Sequence, residues 1–167
     1  MGNVIDWFIP EHLTDEGGVT YPIGGAEAGA EGADQPVSQR QTVLVIDDDP
    51  SVRDLLCRVL QHEGFHVVTA ASGSEGLLLA EQLVPCAITL DVMMPSMDGW
   101  TLLSELKAHP DLAKIPVVII TIVSESARGY ALGADHYLVK TVDRGELVAV
   151  MNNYRRRQVG RADPTRQ

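Results

Sequence analysis

Residues 43–56 read VLVIDDDPSVRDLL, and this stretch decides the fold. Four apolar residues follow one another with no polar alternation, as in a strand covered on both faces. Three acids come next. Val52, Leu55, Leu56, Val59 and Leu60 then recur at helical spacing and form one apolar stripe. The change of period from a continuous run to about 3.6 marks a strand feeding a helix.

The same unit recurs along the chain. Apolar runs stand at 43–46 (VLVI), 66–70 (HVVTA), 87–90 (AITL), 117–121 (VVIIT) and 136–139 (HYLV). Helical stripes lie between and after them: Trp100, Leu102, Leu103 and Leu106, then Leu147, Val148, Met151 and Tyr154. Gly64 stops the first helix, and Pro110 and Pro116 bracket the loop after the third. The pattern predicts an α/β (βα)5 fold of the flavodoxin-like kind. Its five-stranded parallel sheet would run in the order 2-1-3-4-5, with helices on both faces and right-handed crossovers.

Four of the five runs end in a residue able to do chemistry: Asp47, Asp91, Thr121 and Lys140. In a parallel sheet all the carboxyl ends lie on one edge, so these residues converge there. Strands 1 and 3 being neighbours, Asp47 and Asp48 come against Asp91, while Thr121 and Lys140 arrive from the other side. Three carboxylates so close repel one another unless a cation neutralises them. An oxygen-only ligand set suits Mg²⁺. A carboxylate nucleophile, a metal, a lysine and a hydroxyl are what aspartyl phosphorylation requires.

The runs VLVIDDDPSVRDLL, LDVMMPSMDGWTLL, IPVVIIT and GADHYLVK resemble the receiver domains of two-component response regulators, in order and spacing, over roughly residues 42–154. The resemblance implies that Asp91 is the phosphoacceptor and that Asp48 and Asp91 ligate Mg²⁺ directly. Asp47 would act through water, and the backbone carbonyl of Met93 would complete the protein ligands. Lys140 matches the family's phosphoryl-stabilising lysine, Thr121 its switch hydroxyl and Tyr137 its switch aromatic. The donor would be a histidine kinase or a histidine phosphotransfer protein. The run at 120–144 resembles receivers at the ends of hybrid sensor kinases. Read simply as residues, Asp98 is a helix N-cap, Gly99 a packing accommodation and Asp49 a solvent-facing acid at a helix start.

The sequence departs from the family pattern after the lysine. Lys140 is followed by Thr141, where the family has Pro joined through a cis bond, which leaves this loop either trans or strained. The segment from Thr121 to Lys140 is about one helical turn short of the family pattern, which predicts a stubby fourth helix. Met93 and Val123, two residues beyond Asp91 and Thr121, cannot orient a water, and Ile122 is stiff. A long-lived phosphorylated form is expected.

Composition bounds the rest. Of the 167 residues, 45% are apolar, which suits one globular domain. The domains expected are a disordered acidic, Gly-rich tail or linker over 1–40, a receiver over 41–156 and a basic tail over 157–167. Within the first tail only VIDWFIP (4–10) breaks the low complexity, its Trp7, Phe8 and Ile9 making a sticky tip or a partner-docking cluster. A net charge of −10 argues against direct nucleic-acid binding, and the 13 residues after Tyr154 are too few for a DNA reader. No apolar run approaches the ~20 residues of a membrane span, so no membrane partner and a cytoplasmic location are expected. Cys57 and Cys86 lie in apolar patterns and read as core fillers, and the five histidines lack paired ligand spacing.

Three functions compete. The first is a phosphorylatable signalling switch that is no enzyme beyond its own phosphorylation and slow dephosphorylation. The second is a receiver that binds partners without being phosphorylated, against which the intact acidic set argues. The third is a haloacid-dehalogenase-like phosphatase built on Asp47-x-Asp49, which leaves Asp91 and Tyr137 without a role.

Overall fold

The computed structural model describes residues 41–95 and 98–159, with side chains through Arg155. The expected tail over 1–40, its VIDWFIP cluster and all but the first three residues of the basic tail lie outside the described residues.

The elements are β1 (Thr42–Ile46), α1 (Pro50–His62), β2 (His66–Ala70), α2 (Gly73–Leu83), β3 (Ala87–Leu90), α3 (Gly99–Ala108), β4 (Val117–Thr121), α4 (Ser126–Ala131), β5 (His136–Val139) and α5 (Arg144–Val159). The five strands are parallel in the order β2-β1-β3-β4-β5. This is the flavodoxin-like (βα)5 fold expected. α4 has only six residues, the stubby helix that the short segment predicts.

Alternation along the strands divides the core between the two faces. Leu44, Ile46, Ile88, Leu90 and Ile119 pack on one face with Leu79 and Ala80 of α2 and Trp100, Leu102, Leu103 and Leu106 of α3. Val43, Val45, Ala87, Val118 and Ile120 pack on the other with Leu56 and Leu60 of α1 and Leu147 and Met151 of α5. Each buried Val, Leu, Ile or Met side chain among these contributes roughly 1.5–3 kcal/mol, so burial energy is concentrated on the two faces of the sheet. Leu55 departs from its expected place in the α1 stripe. It is 60% exposed, because the line of contact with the sheet passes through Leu56 and Leu60.

Local chemistry sets the helix ends that surround the site. Asp49 caps α1 by accepting from the Ser51 N–H at 2.8 Å. Gly64, in the left-handed region at φ 84°, turns the chain out of α1 into β2. Asp98 caps α3 by accepting from the Trp100 N–H at 3.2 Å. No described helix is long and apolar enough to cross a membrane.

Candidate functional site

The carboxyl ends of β1, β3, β4 and β5 bring the predicted residues together. Asp47 follows β1 and is buried. Asp91 follows β3 and is buried too, while Asp48 beside them is exposed. Ligand oxygens of Asp47, Asp48 and Asp91 lie within 4.8 Å of one another, the one such acidic group among the described residues.

Lys140 enters from the end of β5. Its Nζ donates to Asp47 Oδ2 at 2.8 Å and to Asp91 Oδ2 at 2.7 Å. The other oxygens of the two acids are held by backbone: Asp47 Oδ1 accepts from the Asp49 N–H at 2.9 Å, and Asp91 Oδ1 from the Met93 N–H at 2.8 Å. Burial pushes the Asp47 carboxyl above its usual range, and the hydrogen bond from Lys140 only partly offsets this. Burial pulls Lys140 down, yet its hydrogen bonds to Asp47 and Asp91 outweigh that and leave it raised. The two directions agree with depth, since the Asp47 side chain is 2% exposed and that of Lys140 is 18%.

Thr121 ends β4 fully buried, with its hydroxyl accepting weakly from the Val123 N–H at 3.5 Å. Tyr137 lies inward on β5. Its hydroxyl donates to the Val123 carbonyl and accepts from the Glu125 N–H at 3.2 Å, so the β4–α4 loop is tied to it. Its ring fits against Gly129, where a Cβ would come within 2.9 Å of Tyr137 Cδ2. Gly99 is the same kind of accommodation: a Cβ there would meet the Val92 Cα and lie 2.7 Å from the Asp91 carbonyl oxygen. The Lys140–Thr141 peptide is cis, the geometry the sequence left open.

The donor set suits a hard divalent cation. It is made of oxygens only, and an octahedral ion with ligands at about 2.0–2.1 Å spans roughly 4 Å between opposite ligands, which falls inside the 4.8 Å that bounds these three oxygens. Three carboxylates facing one ammonium also leave net negative charge to be neutralised. No histidine or cysteine joins the group. Cys86 is buried, and burial pushes its thiol up to about 11, as befits a core residue.

Arg53 is the residue that the sequence pattern did not single out. From the first turns of α1 its Nη1 reaches back to the carbonyl oxygens of Asp47 at 2.7 Å and Asp48 at 3.0 Å. The signal available was its place six residues after Asp47. Nothing in a side-chain pattern marks a contact to backbone.

The model of the response regulator receiver domain family matches residues 43–152. The DNA-binding dual master transcriptional regulator RpaA of Synechocystis is 39% identical over 110 residues, 64% of this chain and 46% of RpaA. A putative response regulator from Chloroflexus aurantiacus has a solved structure similar to this one at 35% identity and TM-score 0.66, covering 70% of this chain and 98% of that one. The response regulator TrrA of Thermotoga maritima, solved in complex with Mg(2+)-BeF, is similar at 29% identity and TM-score 0.62, covering 68% of this chain and 98% of that one. The chain spans about half the length of the first curated relatives it matches.

These likenesses correct the expectation that the protein stands apart from nucleic acid. RpaA is by name a DNA-binding regulator, and receivers similar to this one therefore occur in proteins that bind DNA. The acidic balance that suggested otherwise describes one domain's surface and does not bear on the rest of such a protein. RpaA is by name a transcriptional regulator as well. The matched span holds β1 through most of α5, with the acidic group and Lys140 at its strand ends, and this chain belongs to the response regulator receiver domain family.

Proposed function

We propose that residues 41–156 form a cytoplasmic phosphorylation switch in which Asp91 accepts a phosphoryl group from a phosphohistidine donor protein with the help of Mg²⁺. The observation that carries this reading is the double hold of Lys140 on Asp47 and Asp91, with Asp48 in reach of both acids. Asp48 and Asp91 would ligate the metal directly, the Met93 carbonyl would join them, and Asp47 would act through water. Bound Mg²⁺ would neutralise the carboxylates and the incoming phosphoryl oxygens.

The chain's own residues supply the rest. A carboxylate oxygen of Asp91 forms the new O–P bond while the P–N bond to the donor imidazole breaks, its electron pair returning to the ring nitrogen. Lys140, already at Asp91, is placed to pair with a phosphoryl oxygen. Thr121 gives up its weak bond to the Val123 N–H and donates its hydroxyl to another phosphoryl oxygen. That movement pulls on the loop at 122–125, which the Tyr137 hydroxyl holds, and so passes the change to α4 and the surface beside it.

Incubation with acetyl phosphate tests the reading. One phosphoryl group should be taken up per chain in Mg²⁺ and none in excess EDTA. Equal uptake with and without the metal, or sustained hydrolysis of an aryl phosphate, would contradict it.

A further inference from the structure

Arg53 holds the acidic pair by its backbone. β1 ends at Ile46, and the Asp47 N–H makes a last ladder bond to the Ala70 carbonyl at 3.2 Å. Beyond it the carbonyls of Asp47 and Asp48 have left the sheet, and α1 starts only at Pro50. One guanidinium nitrogen, Arg53 Nη1, takes both carbonyls, at 2.7 and 3.0 Å. Arg53 is itself seated by α1, its N–H donating to the Asp49 carbonyl at 3.1 Å.

The three acids are anchored unequally. Asp47 and Asp91 have both carboxylate oxygens engaged, by Lys140 and by backbone N–H groups. Lys140 does not reach Asp48, whose side chain is exposed. The turn that aims the Asp48 carboxylate is set by the peptide groups on either side of it, and Arg53 is what fixes their carbonyls. We infer that Arg53 is a positioning residue for divalent-cation binding, which sets the Asp47–Asp48 turn so that the Asp48 carboxylate meets the one on Asp91. The inference rests on the metal reading proposed above.

Charge and position predict opposite signs for this residue. A guanidinium beside a cation site repels the cation, so its removal by charge alone should tighten binding. Loss of the turn should weaken it, because a ligand no longer held must be ordered on binding. The experiment is a Mg²⁺ titration of the unphosphorylated full chain by calorimetry, for wild type, Arg53→Gln, Arg53→Lys and Asp48→Ala, with circular dichroism to check each fold. Arg53→Gln should raise the Mg²⁺ dissociation constant by about five- to tenfold. Arg53→Lys, which keeps the charge but not the planar fork, should fall between it and wild type, and it carries the test by itself if Arg53→Gln does not fold. Unchanged or tighter binding in the variant that folds would overturn the inference. If in that case Asp48→Ala still loses the metal, the site reading stands and only the role of Arg53 fails. A wild type that binds no Mg²⁺, or binds it no better than Asp48→Ala, overturns both.

Discussion

Lys140 stands 2.7 Å from Asp91 although their strands are not neighbours: β4 lies between β3 and β5, and the lysine spans its end. The contact joins the central strand to the sheet edge over the buried Thr121. Lys140→Met should leave two buried carboxylates facing each other with no cation. In EDTA we expect a loss of about 3 kcal/mol in urea unfolding. Mg²⁺ should restore part of it by taking over the neutralisation.

Asp47 makes the converse prediction. Its folded-state pKa is raised above 3.8 by burial, so the stability it contributes is full below 3.8 and is lost as pH rises through the folded value. At neutral pH and without metal the charged form is therefore a net cost. Asp47→Asn keeps an acceptor for the Asp49 N–H and removes that cost. Metal-free Asp47→Asn should melt no lower than wild type at pH 7, and the difference should vanish below about pH 4. A variant that melts clearly lower at pH 7 would show that the bond to Lys140 outweighs burial.

Much of this arrangement is legible in the sequence, and the reasons are local. Continuous apolar runs ending in Asp47, Asp91, Thr121 and Lys140 locate the strand ends, because only a strand covered on both faces tolerates such runs. What the pattern could not place depends on backbone partners. Arg53 and the Tyr137 hydroxyl both act on carbonyls or N–H groups, which every residue carries alike. Leu55 fails for another reason: spacing put it in the stripe, but the stripe is wider than the contact, and the sheet takes up Leu56.

Gly99 couples packing to the site. Its missing Cβ leaves room for the Asp91 carbonyl and the Val92 backbone, neither of which is a flexible side-chain end that could give way. Gly99→Ala should cost about 1–3 kcal/mol in urea unfolding. It should also slow phosphoryl uptake, since the strain falls on the peptide that carries Asp91. An unchanged midpoint would mean that the loop shifts freely.

On the proposed reading, the side chain of Met93 should set how long the phosphoryl group stays. It follows Asp91 by two residues, is 53% exposed, and has no side-chain group that could orient an attacking water. Ile122, the stiff residue after Thr121, is 67% exposed, so Met93 is the position tested. Met93→Asn should speed loss of label by a few-fold after the donor is removed in Mg²⁺ buffer. Equal decay in variant and wild type would show that water is oriented by other groups.

The most direct test of the account locates the phosphoryl group itself. After acetyl phosphate treatment in Mg²⁺, borohydride reduction and peptide mass spectrometry should mark Asp91 and leave Asp47 and Asp48 unmodified. Asp91→Asn should give an unlabelled chain with the wild-type fold by circular dichroism. Label on another residue of wild type, or equal uptake by the Asn variant, would contradict the assignment of Asp91 as the acceptor.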